Sequence, residues 1–218
     1  MQFKQGVRVY TFDGKDVGKV DRVVIDPPTR EVSHLVIQKG FLFTEDKVVP
    51  ISLIASATDD RVALRQDAGD LANLPTFEEM HYIPLTNAET EALAYPADYA
   101  PGLFWYPPTT GWTGYSLNAP VYYPPRVTEV EKNIPEDTVA LQEGARVLSA
   151  DGKHVGNIER VLTGPVADRV SHFVISQGLI LKERKVIPYN WVSKIEEDTV
   201  HLGVNAAMLD RAREYQES

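Results

Sequence analysis

Residues 6–23 run GVRVYTFDGKDVGKVDRV, and residues 144–161 run GARVLSADGKHVGNIERV. The second stretch is the first displaced by 138 positions. The match continues without a gap from 6–64 onto 144–202, with 24 identities over 59 positions. VSHLVIQKG at 32–40 falls on VSHFVISQG at 170–178, and KVVP at 47–50 falls on KVIP at 185–188. Gapless identity at this density means two units of one fold. Two copies are too few for a solenoid, so paired domains are expected.

Each copy is patterned as strands. Residues 7–10 form a short β-rich run ended by Asp13-Gly14, where glycine takes a positive φ at little cost; Asp151-Gly152 repeats that turn. Residues 18–25 supply Val20, Val23, Val24 and Ile25, a strand irregular around Arg22. Val32–Gln38 is apolar on both faces apart from Ser33 and His34, so both faces are covered. Residues 47–49 make the next strand, ended by Pro50, which cannot donate to a ladder. Ile54–Ala57 and Arg61–Leu64 flank Asp59-Asp60 as a hairpin. Short strands with a turn signal about every ten residues predict an all-β barrel or sandwich. A unit of about 60 residues is near the lower limit for its own core. The two copies are therefore expected to pack as an intramolecular pseudo-twofold pair, which leaves the chain a monomer or weak dimer.

The residues that carry the repeat resemble the PRC-barrel family, the module shared by the photosynthetic reaction centre H subunit and the C-terminal domain of the maturation factor for small ribosomal subunits. They are Gly6-x-x-Val9, Asp13-Gly14-Lys15-x-Val17-Gly18-x-Val20, Val32-Ser33-His34-Leu35-Val36-Ile37 and Lys47-Val48-Val49-Pro50, with their counterparts at 144–158, 170–175 and 185–188. The resemblance implies a fold class: two small PRC-like β-barrels in tandem, with an aromatic and proline-rich connector and a short C-terminal helix. It implies no task, because these positions are turns and core strands. The membrane helix ahead of the reaction-centre barrel and the β-domain ahead of the ribosomal factor's barrel have no counterpart between Met1 and Gly6. The chain is more similar to stand-alone bacterial PRC-barrel proteins. The expected layout is repeat 1 over 1–68, a connector over 69–135, repeat 2 over 136–203 and a helix over 204–218.

Composition narrows the function classes. The chain has 218 residues, 43% apolar and 24% charged, as an ordinary globular protein has. No run approaches the roughly 18 apolar residues of a membrane span, and MQFKQGVRVYTFDG has no apolar signal core; a cytoplasmic location is the expectation. Cysteine is absent, which excludes disulfides, thiol catalysis and cysteine-ligated zinc. The net charge of −9 falls mainly on residues 67–135, which hold nine acidic and two basic groups. Such a balance disfavours nucleic acid. A basic group at Arg8, Lys15, Lys19 and Arg22, with Arg146, Lys153 and Arg160 matching it, is interleaved with Asp13, Asp16, Asp21, Asp151 and Glu159.

The connector is the unusual segment. A short helix is expected after Asp70, broken at Pro75, and a second over 86–94 with Thr86 or Asn87 as its cap. Residues 95–125 hold nine aromatics and seven prolines, with Asp98 the only charged group. Disordered linkers are poor in aromatics. The strip is expected either to lie across its own barrels or to present Trp105, Tyr106, Trp112 and Tyr115 to a partner in polyproline II geometry. In the tail, Met208, Leu209, Ala212 and Tyr215 have helical spacing behind Asn205 as a cap.

Catalytic constellations are missing from the sequence. His34 and His172 are repeat equivalents, expected in or beside the interface between barrels; symmetric metal ligation there would need further ligands. The acidic pairs at 59–60 and 196–198 lie on hairpin turns rather than in a cleft. Neither Gly-x-Ser-x-Gly nor a glycine-rich phosphate loop occurs. The expectation is a non-enzymatic protein-interaction or assembly module with no cofactor. An RNA- or ribosome-associated factor follows from family analogy alone, and a small-ligand or metal carrier is the third possibility.

Overall fold

The computed structural model describes residues 1–38, 45–66, 71–84, 126–142, 144–164, 168–177, 183–209 and 211–215. In chain order the first copy contains β1 (Gln2–Lys4), β2 (Arg8–Tyr10), β3 (Asp16–Ile25), β4 (Val32–Gln38), β5 (Lys47–Pro50), β6 (Ile54–Ala57) and β7 (Arg61–Leu64). Next come β8 (Glu78–Pro84) and β9 (Arg126–Lys132), which pair with each other. The second copy follows with β10 (Val139–Gln142), β11 (Arg146–Leu148), β12 (His154–Thr163), β13 (Val170–Gln177), β14 (Glu183–Pro188), β15 (Val192–Ile195) and β16 (Thr199–Leu202). The chain ends in α1 (Ala206–Leu209) and β17 (Arg213–Glu214). The protein is mostly β, and α1 is the one α-helix among the described residues. Among the described residues no helix is long and apolar enough to cross a membrane.

One sheet has the order β5-β4-β3-β2-β7-β6, and the other the order β14-β13-β12-β11-β16-β15 with β17 beyond β14. These are the same order under the 138-residue offset. In both, the second and the last strand of the copy pair in parallel, Val9 facing Val62 and Val147 facing Val200. The irregularities coincide as well. The register slips between Val20 and Arg22 in one copy and between Ile158 and Arg160 in the other. One extra residue reverses the alternation of a strand. Val20, Val23 and Ile25 therefore all reach the main core, whereas Val24 packs with Val36, Val48, Phe77 and Ala140 in a second cluster. The irregularity expected near Arg22 is this bulge.

Two strands cross between the copies. β1 opens the first copy and pairs with β12 of the second, Phe3 facing Val161. β10 opens the second copy and pairs with β3 of the first, Leu141 facing Val23. The registers are equivalent position for position. Phe3 and Leu141 are fully buried, so each copy delivers a large apolar side chain to the other's sheet. Burying such a side chain stabilises by about 1.5–3 kcal/mol. Both copies lie in one compact unit, 1–78 with 132–218, and 79–131 form a second.

The tail departs from the expected helix over 204–218. The helix stops at Leu209, and Arg213–Glu214 adds a strand to β14, Glu214 opposite Lys185. Asn205 does cap it, its Oδ1 accepting the Met208 N–H at 3.2 Å. Helical spacing of the apolar residues lost to two stronger demands. The edge of β14 takes up a partner strand, and the Tyr215 ring lies 5.0 Å from the Arg160 guanidinium carbon. The first copy does the same at 71–77, where a 3-10 turn at Leu71–Asn73 leads to a bridge between Thr76 and Lys47. Phe77 then lies 5.2 Å from Arg22. The helix expected after Asp70 is that 3-10 turn, while the helix over 86–94 falls outside the described residues. Strands β8 and β9 were not evident from the sequence pattern.

Candidate functional site

The best-defined arrangement of charged residues lies where the copies meet. Val32 donates its N–H to the Asp168 carbonyl at 3.1 Å, and Val170 donates to the Arg30 carbonyl at 2.8 Å. Each pair of residues is the other's repeat equivalent. Arg30 and Asp168 both take positive φ, 66° and 39°, to make these turns. Between them Glu31 bridges Arg169, with the side chains 3.1 Å apart. Positions 31 and 169 are equivalents, so one site facing itself across the junction carries opposite charges in the two copies. Tyr189 adds a hydrogen bond from its hydroxyl to the Pro27 carbonyl at 3.1 Å.

Flanking this line, two arginines reach across. Arg160, wholly buried, pairs with Asp59 of the other copy and meets the Tyr215 hydroxyl at 3.2 Å. Burial on its own would lower the affinity of Arg160 for its proton, but the bond and charge of Asp59 outweigh it and raise the pKa. Arg22, its equivalent, lies 3.5 Å from Glu197, the equivalent of Asp59. Lys132 pairs with the same Glu197. Asp59 and Glu197 had been placed on hairpin turns with local roles; their shared task emerges only when Arg22 and Arg160 are set beside them under the offset.

Of the residues singled out from sequence, Trp105, Tyr106, Trp112 and Tyr115 lie outside the described residues. His34 sits on β4, facing Val24 and Pro50, and His172 sits on β13, facing Leu162 and Pro188. The bonds across the junction given above run through other residues. Among the described residues no three His, Asp or Glu side chains converge as a metal-ligand group. The basic residues are neutralised locally: Arg8 by Asp16, Lys15 by Asp13 at 3.0 Å and Lys153 by Asp151 at 2.9 Å. Thr11 and Lys15 hold Asp13 below the usual carboxylate range, and Lys153 and Ser149 do the same for Asp151.

Residues 5–71 match the family model of the PRC-barrel domain. That stretch belongs to the PRC-barrel domain family. The PRC-barrel match takes in β2 to β7 and the 3-10 turn at Leu71–Asn73, the elements whose order the second copy reproduces. No curated protein matches the chain.

The protonation of His34 is tied to the fold by burial. Its Nδ1 is buried without a hydrogen-bond partner, and burial pushes its pKa below 6.5. The folded state therefore resists protonation that the unfolded chain accepts. Stability is unaffected well above pH 6.5 and falls as the pH drops through the unfolded value towards the lower folded one. The melting temperature of the wild-type protein should drop by about 2 °C more than that of His34→Leu between about pH 7 and pH 5.5, as thermal melts would read.

Proposed function

We propose that the chain folds as two closed PRC barrels related by a pseudo-twofold, and that this pair is a non-enzymatic scaffold holding out residues 95–125 to a protein partner. One observation carries the proposal. The N–H of Asn133 donates to the carbonyl of Phe77 at 3.0 Å, so the chain leaves and re-enters the scaffold at neighbouring points. A turn of a few residues would close that gap. The 53 residues of 79–131 are far more than the linkage requires, and they include the strip with nine aromatics and seven prolines. Length and aromatic content beyond what a tether needs fit a docking segment, since aromatic side chains concentrate binding energy. The reciprocal strands and the buried Arg160–Asp59 pair support a rigid base for it.

Replacing 95–125 by a short Gly-Ser turn should leave the melting temperature within about 3 °C, because the core residues among the described ones all lie outside that segment. Mutating Trp105, Tyr106, Trp112 and Tyr115 together to serine should behave alike. In quantitative pull-downs from native lysate, both changes should reduce the wild-type partner at least about tenfold, a loss expected of aromatic anchors. Partner sets identical across all three proteins, or empty in all three, would refute the proposal.

A further inference from the structure

Beside the Glu31–Arg169 bridge lies an open groove of about 520 Å³, lined by Thr29 and Arg30 of the first copy and by Gly164, Arg169 and Ser171 of the second. We infer that this groove is a binding site for one small oxyanion, a carboxylate or a phosphate, with Arg30 as its principal contact. The site is independent of the role proposed for residues 95–125.

The case rests on how the two copies have diverged. Exchanging the copies converts Arg30 to Asp168, Gly164 to Asp26 and Arg169 to Glu31. A true homodimer would have two identical grooves, one on each side of the junction. Here the Arg30 side holds Arg30, Gly164 and Arg169 where its mate holds Asp168, Asp26 and Glu31. The Asp26 and Glu31 carboxylates are already engaged, on the Thr29 N–H and on Arg169, which leaves Arg30 against Asp168 as the difference that sets one anion per chain.

The geometry suits the chemistry. Arg30 is fixed at φ 66° by the bond from its own N–H to the Asp26 carbonyl at 2.7 Å. Its guanidinium carbon lies 5.1 Å from the centre of the Tyr189 ring, which holds the planar group in place. Among the described residues no carboxylate pairs with it. Asp26 directs an oxygen to the Thr29 N–H at 3.2 Å. Arg169 gives Nε to Glu31, and its terminal nitrogens form no other ion pair among the described residues. A guanidinium that is pre-oriented and unpaired is matched by a planar or tetrahedral oxyanion bound through two parallel hydrogen bonds. The Thr29 hydroxyl offers a further donor, and the volume suits a small molecule or one acidic side chain.

The test is an amide NMR titration of the full chain with inorganic phosphate, with succinate and with a short amidated peptide containing two glutamates, each against sodium chloride at equal ionic strength. Saturable shifts at 28–31 and 168–171 are expected. Arg30→Asn, which tolerates the left-handed backbone, should weaken binding at least about tenfold with the melting temperature kept. Asp168→Asn, on the mate side, should stay within about twofold. Saturation by phosphate or succinate but not the peptide assigns a free anion; tighter binding of the peptide assigns an acidic chain. Shifts equal to those in sodium chloride, or an unchanged affinity in Arg30→Asn, would overturn the site.

Discussion

Gly18→Ala is expected to cost about 3–5 kcal/mol of folding stability, with Gly156→Ala close behind, whereas Gly14→Ala should cost only about 1 kcal/mol. All three glycines have positive φ: +143°, +144° and +82°. Backbone conformation separates them in part, because +82° lies near the left-handed well that other residues visit and +143° does not. Space separates them further. A Cβ on Gly18 would lie 2.4 Å from the Gln38 carbonyl oxygen, and one on Gly156 would lie 2.7 Å from that of Ser176. Both obstacles are backbone atoms of the neighbouring strand, so no side chain can swing aside; β3 would have to part from β4, or β12 from β13. At Gly14 nothing stands within 4 Å of the added atom, and only the turn conformation is penalised. The strand contacts that would open are the most extensively paired in each sheet, which is why the expected loss reaches the range usually reserved for core cavities. Urea denaturation of the three variants at a common m-value measures it. Equal losses at Gly18 and Gly14 would refute the close-approach explanation.

Those glycines were legible in the sequence as motif positions, and so were the strand segments, the Asp-Gly turns and the irregularity at Arg22. Local pattern carries such features because turn chemistry and side-chain alternation are set by near neighbours. The exchange of β1 and β10 was not legible for the converse reason. Gln2–Lys4 contains a single apolar residue, Phe3, too short a run to show a period of two, and its partner Val161 is far along the chain. Residues 1–5 share no identity with 139–143, so by sequence the repeat begins at Gly6. Only the burial of Phe3 and Leu141 at equivalent positions reveals that the unit starts earlier. In the tail, Tyr215 was counted towards a helix face, although it is the counterpart of Phe77 under the same offset and does the same thing, covering an arginine. The junction charges failed to appear for a related reason. An acid on a hairpin turn is ordinarily explained by local backbone bonding, and nothing in the neighbourhood of Asp59 announces an arginine 101 positions away.

The Asp59–Arg160 pair should be the costlier of the two cross-copy ion pairs to break. Asp59→Ala is expected to lose about 3 kcal/mol, and Glu197→Ala under about 1 kcal/mol. The positions are repeat equivalents with the same partner type, so chemistry does not distinguish them; burial does. The Arg160 side chain is 0% exposed, whereas Arg22 is 18% and Glu197 40% exposed. Removing Asp59 takes away the partner that the other copy supplies to a charge out of water, while Glu159 at 3.7 Å and the Tyr215 hydroxyl stay in place. Those contacts hold the loss to the lower part of the range for a broken buried pair. At the other pair, water reaches Arg22 and Asp21 remains 3.2 Å from it, which offsets what is lost. The same logic gives a sign that a simple count of interactions would miss. Arg160→Met in the Asp59→Ala background removes the buried charge while keeping most of the buried aliphatic volume, so the double variant should be more stable than Asp59→Ala alone. A urea double-mutant cycle on the full chain decides it. Recovery in the double variant, with one cooperative transition throughout, would show that the pair couples two copies that unfold together. Additive losses would mean that Arg160 finds full compensation within its own copy, and the cross-copy bond would then be incidental to stability.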